Sequence, residues 1–521
     1  MSERWPPDRL SLPLPLWLII VLMGVGYSLT AVFFPLAPHF NRLPLPDVRT
    51  FTPSLGQGLL YALGLITLYW LYSQALRHRP PHLLLILVTA VLFALPLLLT
   101  FPYNATDIYR YFIRGRVSSI YDQNPFTEPP DAFPQDPFRP LAGEWSSETS
   151  PYGPLWELTA AAVTTLAQNN LYLGLILFKL LGLAGHLLIA LLIWLLLAGR
   201  EAAGRRHAAL LWAWNPALLL TFVADAHNDS LMLLWLLIGL WVGHYRPDQR
   251  PSAAHLALSF TLMSLAPLTK PIGLLPLPFF FLTFWRQLPD ANGRLRFLLL
   301  STTGVLATIV LAFFPFGSPL ALLERLAQEA GTGGGFSLTT LLLLLNQRLS
   351  GGLSWAVLTN VTRLAAGVIV LWLLWRTWHP RVHGGRSPLR ATADIFALYI
   401  FQALNFRIWY SVWAVPWLIL ESGGAEEQGS RGAEEQRSGG AEEMRMIPFH
   451  ASRLTPHASR LTPLSPLPSP LPSRPVSSSS SPANSPSSST AICESTPSAA
   501  TTSRPTSSAC PSPSACPFFL L

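Results

Sequence analysis

LLLILVTAVLFALPLLLTF (residues 83–101), followed after a short link by DIYRYFIRGRVSSIYDQNPF (107–126), is the stretch that decides the fold. The first part is a continuous apolar run of the length a helix needs to cross hydrocarbon. The second is polar and aromatic, and it opens on a carboxylate, Asp107. A bilayer leaves no backbone N–H or C=O unbonded, so the apolar run reads as a helix. Asp107 then lies just beyond its end.

Similar runs recur along the chain. They give candidate spans at 14–35, 55–76, 83–101, 171–198, 208–224, 230–244, 253–269, 271–285, 297–316, 353–375, 391–405 and 409–421. The expected fold is an all-α polytopic membrane protein with about 11–13 transmembrane helices. The pieces 154–168 and 338–346 are too short to cross and read as re-entrant or interfacial helices. The composition agrees. Of 521 residues, 50% are hydrophobic and only 12% are charged, against about 25% in soluble proteins.

The net charge of +8 is no sign of nucleic-acid binding. It belongs to arginine-rich loops, which fix topology. Arg77/Arg79, Arg200/Arg205/Arg206, Arg246/Arg250, Arg286/Arg294/Arg296 and Arg376/Arg381/Arg386/Arg390 occupy alternate loops. These are expected inside, together with an N-terminus carrying Arg4 and Arg9. The loops 36–54, 102–153, 225–229, 317–352, the turn at Lys270 and the segment Asn405–Trp409 are then expected outside the cytoplasmic membrane. The three cysteines, Cys493, Cys510 and Cys516, all lie in the C-terminal region, so the body offers no disulfide framework or thiolate metal site.

From residue 422 the chain changes character, with repeats of GGAEEQ and HASRLTP and then a Ser/Pro/Thr-rich run. Such composition buries no core and is expected to be disordered. The onset is abrupt, directly after an apolar run. It reads as a shifted reading frame in preference to a genuine tail. The organisation is therefore a body, 1–421, containing an outer loop, 102–153, and a tail, 422–521.

The polar clusters of the body all map to the same expected side. Asp107, Arg110, Tyr111 and Arg114 share one face of a helix that also carries Tyr109. The arginines suit an anion, and the tyrosines suit a sugar; the plain alternative is an amphipathic interfacial helix. SPYGPLW (150–156) is a turn into a new helix, with Tyr152 and Trp156 beside it. WNPALLLTFVADAHNDSLM (214–232) carries a proline kink and then His227, Asn228 and Asp229. These three could bind sugar hydroxyls, orient a carboxylate, ligate a cation or simply cap the next helix. LAPLTKPIGLLPLP (265–278) is interrupted by Lys270, an ammonium suited to a phosphate. Arg407 stands among aromatics (Trp409, Tyr410, Trp413) that also read as an interfacial belt.

Those four quoted segments, in that order, resemble the GT-C superfamily of integral membrane glycosyltransferases. They are most similar to its polyprenol-phosphate-mannose-dependent mannosyltransferases, and the likeness runs from about residue 14 to 421. The resemblance implies that a polyprenyl-phosphate-linked sugar, with mannose the first candidate, is passed to a glycan or glycolipid acceptor with inversion. It implies Asp107 as general base and Lys270, Arg110, Arg114 and Arg407 as phosphate or donor contacts. Tyr109, Tyr111, Tyr152, His227, Asn228 and Asp229 would hold the acceptor or support Asp107. No cofactor and no metal are expected. Two departures are visible. Thr106, not a second acid, precedes Asp107, and the first large loop follows the third span. The competing reading is a transporter or flippase for polyprenyl-linked lipids or sugars. Such proteins place polar groups near the midplane, often within internal repeats; here the polar groups sit at span ends, and no repeat is visible.

Overall fold

Apolar runs form helices here, and two of the runs break at proline, at Pro216 and at Lys270–Pro271. The computed structural model describes residues 14–39, 45–51, 54–244, 251–329, 337–349, 354–379, 385–403 and 407–422. Arg4, Arg9, Arg246, Arg250, Arg381, the stretch 331–335, Asn405 and the tail from residue 423 lie outside the described residues.

The first three helices are α1 (Leu16–Phe33), α2 (Leu55–Ala75) and α3 (Leu83–Leu98). Ser54 and Gln57 form a capping box that starts α2. An isolated β-bridge between Pro35 and Thr100 joins the ends of α1 and α3. The polar segment forms α4 (Asp107–Ser119), and SPYGPLW leads into α5 (Pro154–Ala167). Then come α6 (Leu171–Leu196), α7 (Ala202–Ala213) and α8 (Pro216–Leu219), which runs on into a π-helical turn, Leu220–Ala224. The proline breaks this span as expected, with a bend of 49° between its halves. The Asn215 side chain accepts from the Ala217 N–H at the break.

The second half contains α9 (Asp229–Gly243), α10 (Ala253–Met263), α11 (Leu265–Thr269), a 3-10 turn at Pro271–Leu274 and α12 (Leu277–Gln287). It continues with α13 (Ala291–Phe313), α14 (Leu320–Glu329), α15 (Leu338–Leu349), α16 (Trp355–Trp378), α17 (Pro388–Gln402) and a 3-10 turn at Ile408–Ala414.

Among the described residues five helices, α1, α2, α6, α13 and α16, are long and apolar enough to cross a membrane, and the bent α7–α8 pair makes a sixth. α3, α9 and the α10–α11 stretch are apolar but shorter. Against the 11–13 crossings expected, the described residues thus give up to six full-length spans and three shorter apolar helices. The two pieces read as too short to cross, α5 and α15, have 14 and 12 residues.

Burial sorts the long helices. In α6, 56% of the apolar window is buried, against 17% in α1, α2 and α13 and 11% in α16. α6 is therefore a central post, while the others expose leucine, valine and tryptophan. Apolar surface on that scale suits hydrocarbon, not water. This is an all-α polytopic membrane protein.

One apolar core joins α1, α2, α3 and α6–α10 with α12. A second, at one end, packs α4 and α5 on the start of α6. Two glycines allow the close approaches that build this end. A Cβ on Gly115 of α4 would strike the Ala160 carbonyl of α5. A Cβ on Gly153 would strike the Leu268 carbonyl, and the Gly153 N–H donates to the Thr269 carbonyl at 3.1 Å. Tyr152 is thus set beside the Lys270 turn.

Gly153→Ala is expected to destabilise the protein by about 1–3 kcal/mol through this overpacking. Gly204→Ala, which meets open space, should stay within about 0.5 kcal/mol. Thermal unfolding of the two variants in detergent measures the difference.

Candidate active site

Four interruptions of the helical framework meet at one place: the link into α4, the 225–228 turn, the Lys270 turn and the 3-10 turn at 408–414. They are the segments expected to share one face. By contrast, Arg205 and Arg286 bond to carbonyls at the far ends of α6 and α16 (Trp194 and Thr377).

Asp107 is the first residue of α4 and is 8% exposed. Its Oδ1 accepts from the Tyr152 hydroxyl at 2.9 Å and from Arg110 Nη1 at 3.3 Å. Among the described residues its Oδ2 makes no hydrogen bond, and His227 Nδ1 lies 4.0 Å away. Burial pushes the Asp107 carboxyl up, but Arg110 first, then His227, Lys270 and the Tyr152 hydroxyl, outweigh it and bring the pKa down to about 2. Asp107 is therefore ionised, with one oxygen engaged and one open.

The 227–229 segment is not an exposed cap. His227, Asn228 and Asp229 are at most 1% exposed, and Asn228, the N-cap of α9, makes no side-chain cap. Lys270 Nζ donates to both Asp229 oxygens, at 2.8 and 2.9 Å. The sequence around Lys270 offers no acidic partner; the fold supplies one from a different helix. Trp413 Nε1 also donates to Asp229. His227 Nδ1 lies 3.7 Å from Asp229 Oδ2, between the two carboxylates. Burial holds the imidazole below its ordinary pKa against the pull of Asp107 and Asp229. His227 Nδ1, His227 Nε2 and Asn228 Nδ2 are buried without hydrogen-bond partners. They are available to a ligand.

Aromatic rings wall the site. Trp409 stacks on His227 at 4.7 Å. Tyr410 and Trp413 face the Lys270 ammonium at 5.4 and 5.6 Å. Tyr111 packs against Tyr152 and Trp156, and its hydroxyl reaches Asn228 Oδ1 at 3.4 Å. Arg110 lies over Trp145 at 4.5 Å and is 3.6 Å from Glu144. The segment 409–413, legible as an interfacial belt, is thus part of the site wall.

The remaining sequence candidates have other placements. Tyr109 packs on Phe101 in the second core. Arg114 donates to the Glu148 and Thr149 carbonyls at 3.3 Å, behind Tyr152, and so holds the loop that carries Tyr152. Arg407 is half-buried at the head of the 408–414 turn. Among the described residues no cluster of three His, Cys, Asp or Glu is placed to hold a metal ion.

Sequence reading also passed over several residues. Asn104 binds Asp225, and Ser150 donates to the buried Glu157 at 2.5 Å. Burial raises the Glu157 carboxyl. Lys179 is fully buried in α6. A lysine inside an apolar run was the available signal for it.

A reaction that needs the ionised Asp107 is complete above its pKa and lost as pH falls through it. With the pKa at about 2, no acid limb from this residue is expected across roughly pH 4–7. Arg110→Gln removes the strongest lowering partner, so a limb should move up toward the ordinary carboxylate range. The pH profile of activity measures this.

Comparison with known proteins follows the same segments. The family model for alpha-(1->6)-mannopyranosyltransferase, N-terminal domain, matches residues 18–286. Alpha-(1->6)-mannopyranosyltransferase B of Corynebacterium glutamicum is 25% identical over 352 residues, 61% of this chain and 56% of the relative. Alpha-(1->6)-mannopyranosyltransferase A of Mycobacterium tuberculosis is 26% identical over 340 residues, 62% of this chain and 63% of the relative. A probable alpha-(1->6)-mannopyranosyltransferase of Mycolicibacterium smegmatis is 25% identical over 369 residues, 63% of each chain. The chain thus spans less than two thirds of the length of these relatives. No solved structure gives a significant match. All four motif segments, with Asp107, Tyr152, His227–Asp229 and Lys270, fall within the matched residues, and on that match the chain belongs to the alpha-(1->6)-mannopyranosyltransferase family.

Proposed function

We propose that this protein transfers a mannosyl group from a polyprenyl-phosphate-linked donor to a hydroxyl of a glycan or glycolipid. Transfer takes place at the extracytoplasmic face of the membrane and inverts the anomeric carbon. The observation that carries this reading is the state of Asp107: ionised, fixed through Oδ1 by Tyr152 and Arg110, and open at Oδ2. The names of the relatives support the mannosyl group.

In this reading the acceptor hydroxyl attacks the anomeric carbon and its proton passes to Asp107 Oδ2. The bond from the anomeric carbon to the phosphate oxygen breaks, and the phosphate leaves with the electron pair. Arg110 and Lys270 meet the charge that develops on it. Lys270 is shared with Asp229, which holds the ammonium in place. The unpartnered atoms of His227 and Asn228 bind sugar hydroxyls. No metal is assigned, because these two cations supply the positive charge.

Asp107→Asn keeps the shape and loses the base. Turnover should fall by about 10²–10⁴-fold while binding of a polyprenyl-phosphate mannose donor persists. Undiminished transfer would remove Asp107 from this role.

Sidedness has its own test. In a chain whose tail cysteines are replaced by serine, single cysteines at Gln123 and Ala202, both exposed, should label with an impermeant maleimide from opposite sides. Labelling from one side would overturn the orientation.

A further inference from the structure

Lys179 has no part in the chemistry above, yet it is 0% exposed in the middle of α6. A buried ammonium is costly unless it is bonded and charge-compensated. Its Nζ donates to three backbone carbonyls: Leu97 at 3.1 Å, Thr100 at 2.8 Å, and Ala224. Leu97 and Thr100 close α3, and Ala224 closes the π-helical turn. One ammonium thus ties two helix ends that are far apart in sequence.

Asp225, 1% exposed, makes the matching tie in the other direction. It accepts from the Asn104 N–H at 3.3 Å and from Asn104 Nδ2 at 2.8 Å. Asn104 Nδ2 also donates to the Tyr61 hydroxyl of α2 at 2.8 Å. The two ties join the segments 97–104 and 224–225. One segment runs directly into Asp107, and the other runs directly into His227–Asp229.

We propose that Lys179 and Asp225 are a positioning clamp that sets the placement of Asp107 against His227 and Asp229, and so governs turnover without touching substrate. The link to turnover rests on the function proposed above. The clamp itself does not. Asp107 and His227 make no direct hydrogen bond, at 4.0 Å, so their spacing is set by the backbone behind them. That backbone is what Lys179 and Asp225 hold.

The test uses the full chain in nanodiscs, with Lys179→Met, Asp225→Asn and the double variant. Hydrogen exchange is read first. Amides of 100–106 and 224–229 should lose protection together in each single variant, while those of α13 and α16 stay unchanged. Unchanged protection at both segments, or a loss spread over all helices, would overturn the clamp. Transfer is read second. The kcat should fall at least about tenfold, with the donor KM within about threefold. The double variant should lose no more than the worse single, as expected of residues that act as a unit. Wild-type kcat in a folded Lys179→Met protein, or multiplied losses in the double, would overturn the positioning role. If Lys179→Met does not fold, Asp225→Asn decides on the same two readouts. An inactive wild-type chain would overturn the proposed function, and the exchange measurement would still decide the clamp.

Discussion

A helix that breaks in apolar surroundings must find partners for the backbone groups it releases. The rest of this structure follows from that constraint. The helices break between α3 and α4, at the π-helical turn, at Lys270 and before the 408–414 turn. Each break is closed from another part of the chain. Lys179 binds the carbonyls of the first two. The Gly153 N–H binds the Thr269 carbonyl at the third. At the fourth a side-chain bond, from Trp413 to Asp229, ties the turn to the second. The groups that repair the backbone also bring the reactive side chains together, so the site is a by-product of satisfying broken helices in one another's company.

The electrostatics of the site divide two carboxylates between two tasks. Asp229 is fully buried and saturated by Lys270 and Trp413. Asp107 is held on one oxygen only. Arg110 lies beside Asp107 and Lys270 beside Asp229. His227 lies between, stacked on Trp409. Such an arrangement keeps one carboxylate structural and leaves the other free to accept a proton. It also places a cation beside each.

Polar contacts hold a further layer, the loop between α4 and α5, alongside its buried aromatic residues. Arg116 pairs with Asp136 at 2.9 Å, Arg139 with Asp131, and Arg325 of α14 with Glu148 at 2.8 Å. Asn124 Nδ2 reaches the Phe316 carbonyl at 2.8 Å. Arg114, on the same helix as Asp107, belongs to this layer, because it turns to the 148–149 carbonyls. The loop between α4 and α5 is thus fixed at several points, as a loop carrying Tyr152 to Asp107 must be.

The sequence by itself determined the fold class, since apolar runs separated by arginine-rich loops have one physical solution in a bilayer. It also determined that Pro216 would kink its span and that Asp107, Tyr152, His227–Asp229 and Lys270 stand at helix ends. Partnership was decided only by the tertiary structure. Lys270 pairs with Asp229 across 41 positions and Tyr152 bonds Asp107 across 45, and no local pattern encodes such distances. The same holds for Arg114 and Tyr109. Helical periodicity puts Arg114 on the face of Asp107, but what a side chain meets there depends on which loop crosses above it. Trp409 and Trp413 show the limit most plainly. An aromatic at a membrane boundary and an aromatic against a buried carboxylate have the same local sequence, and they differ only in the helix that packs beside them.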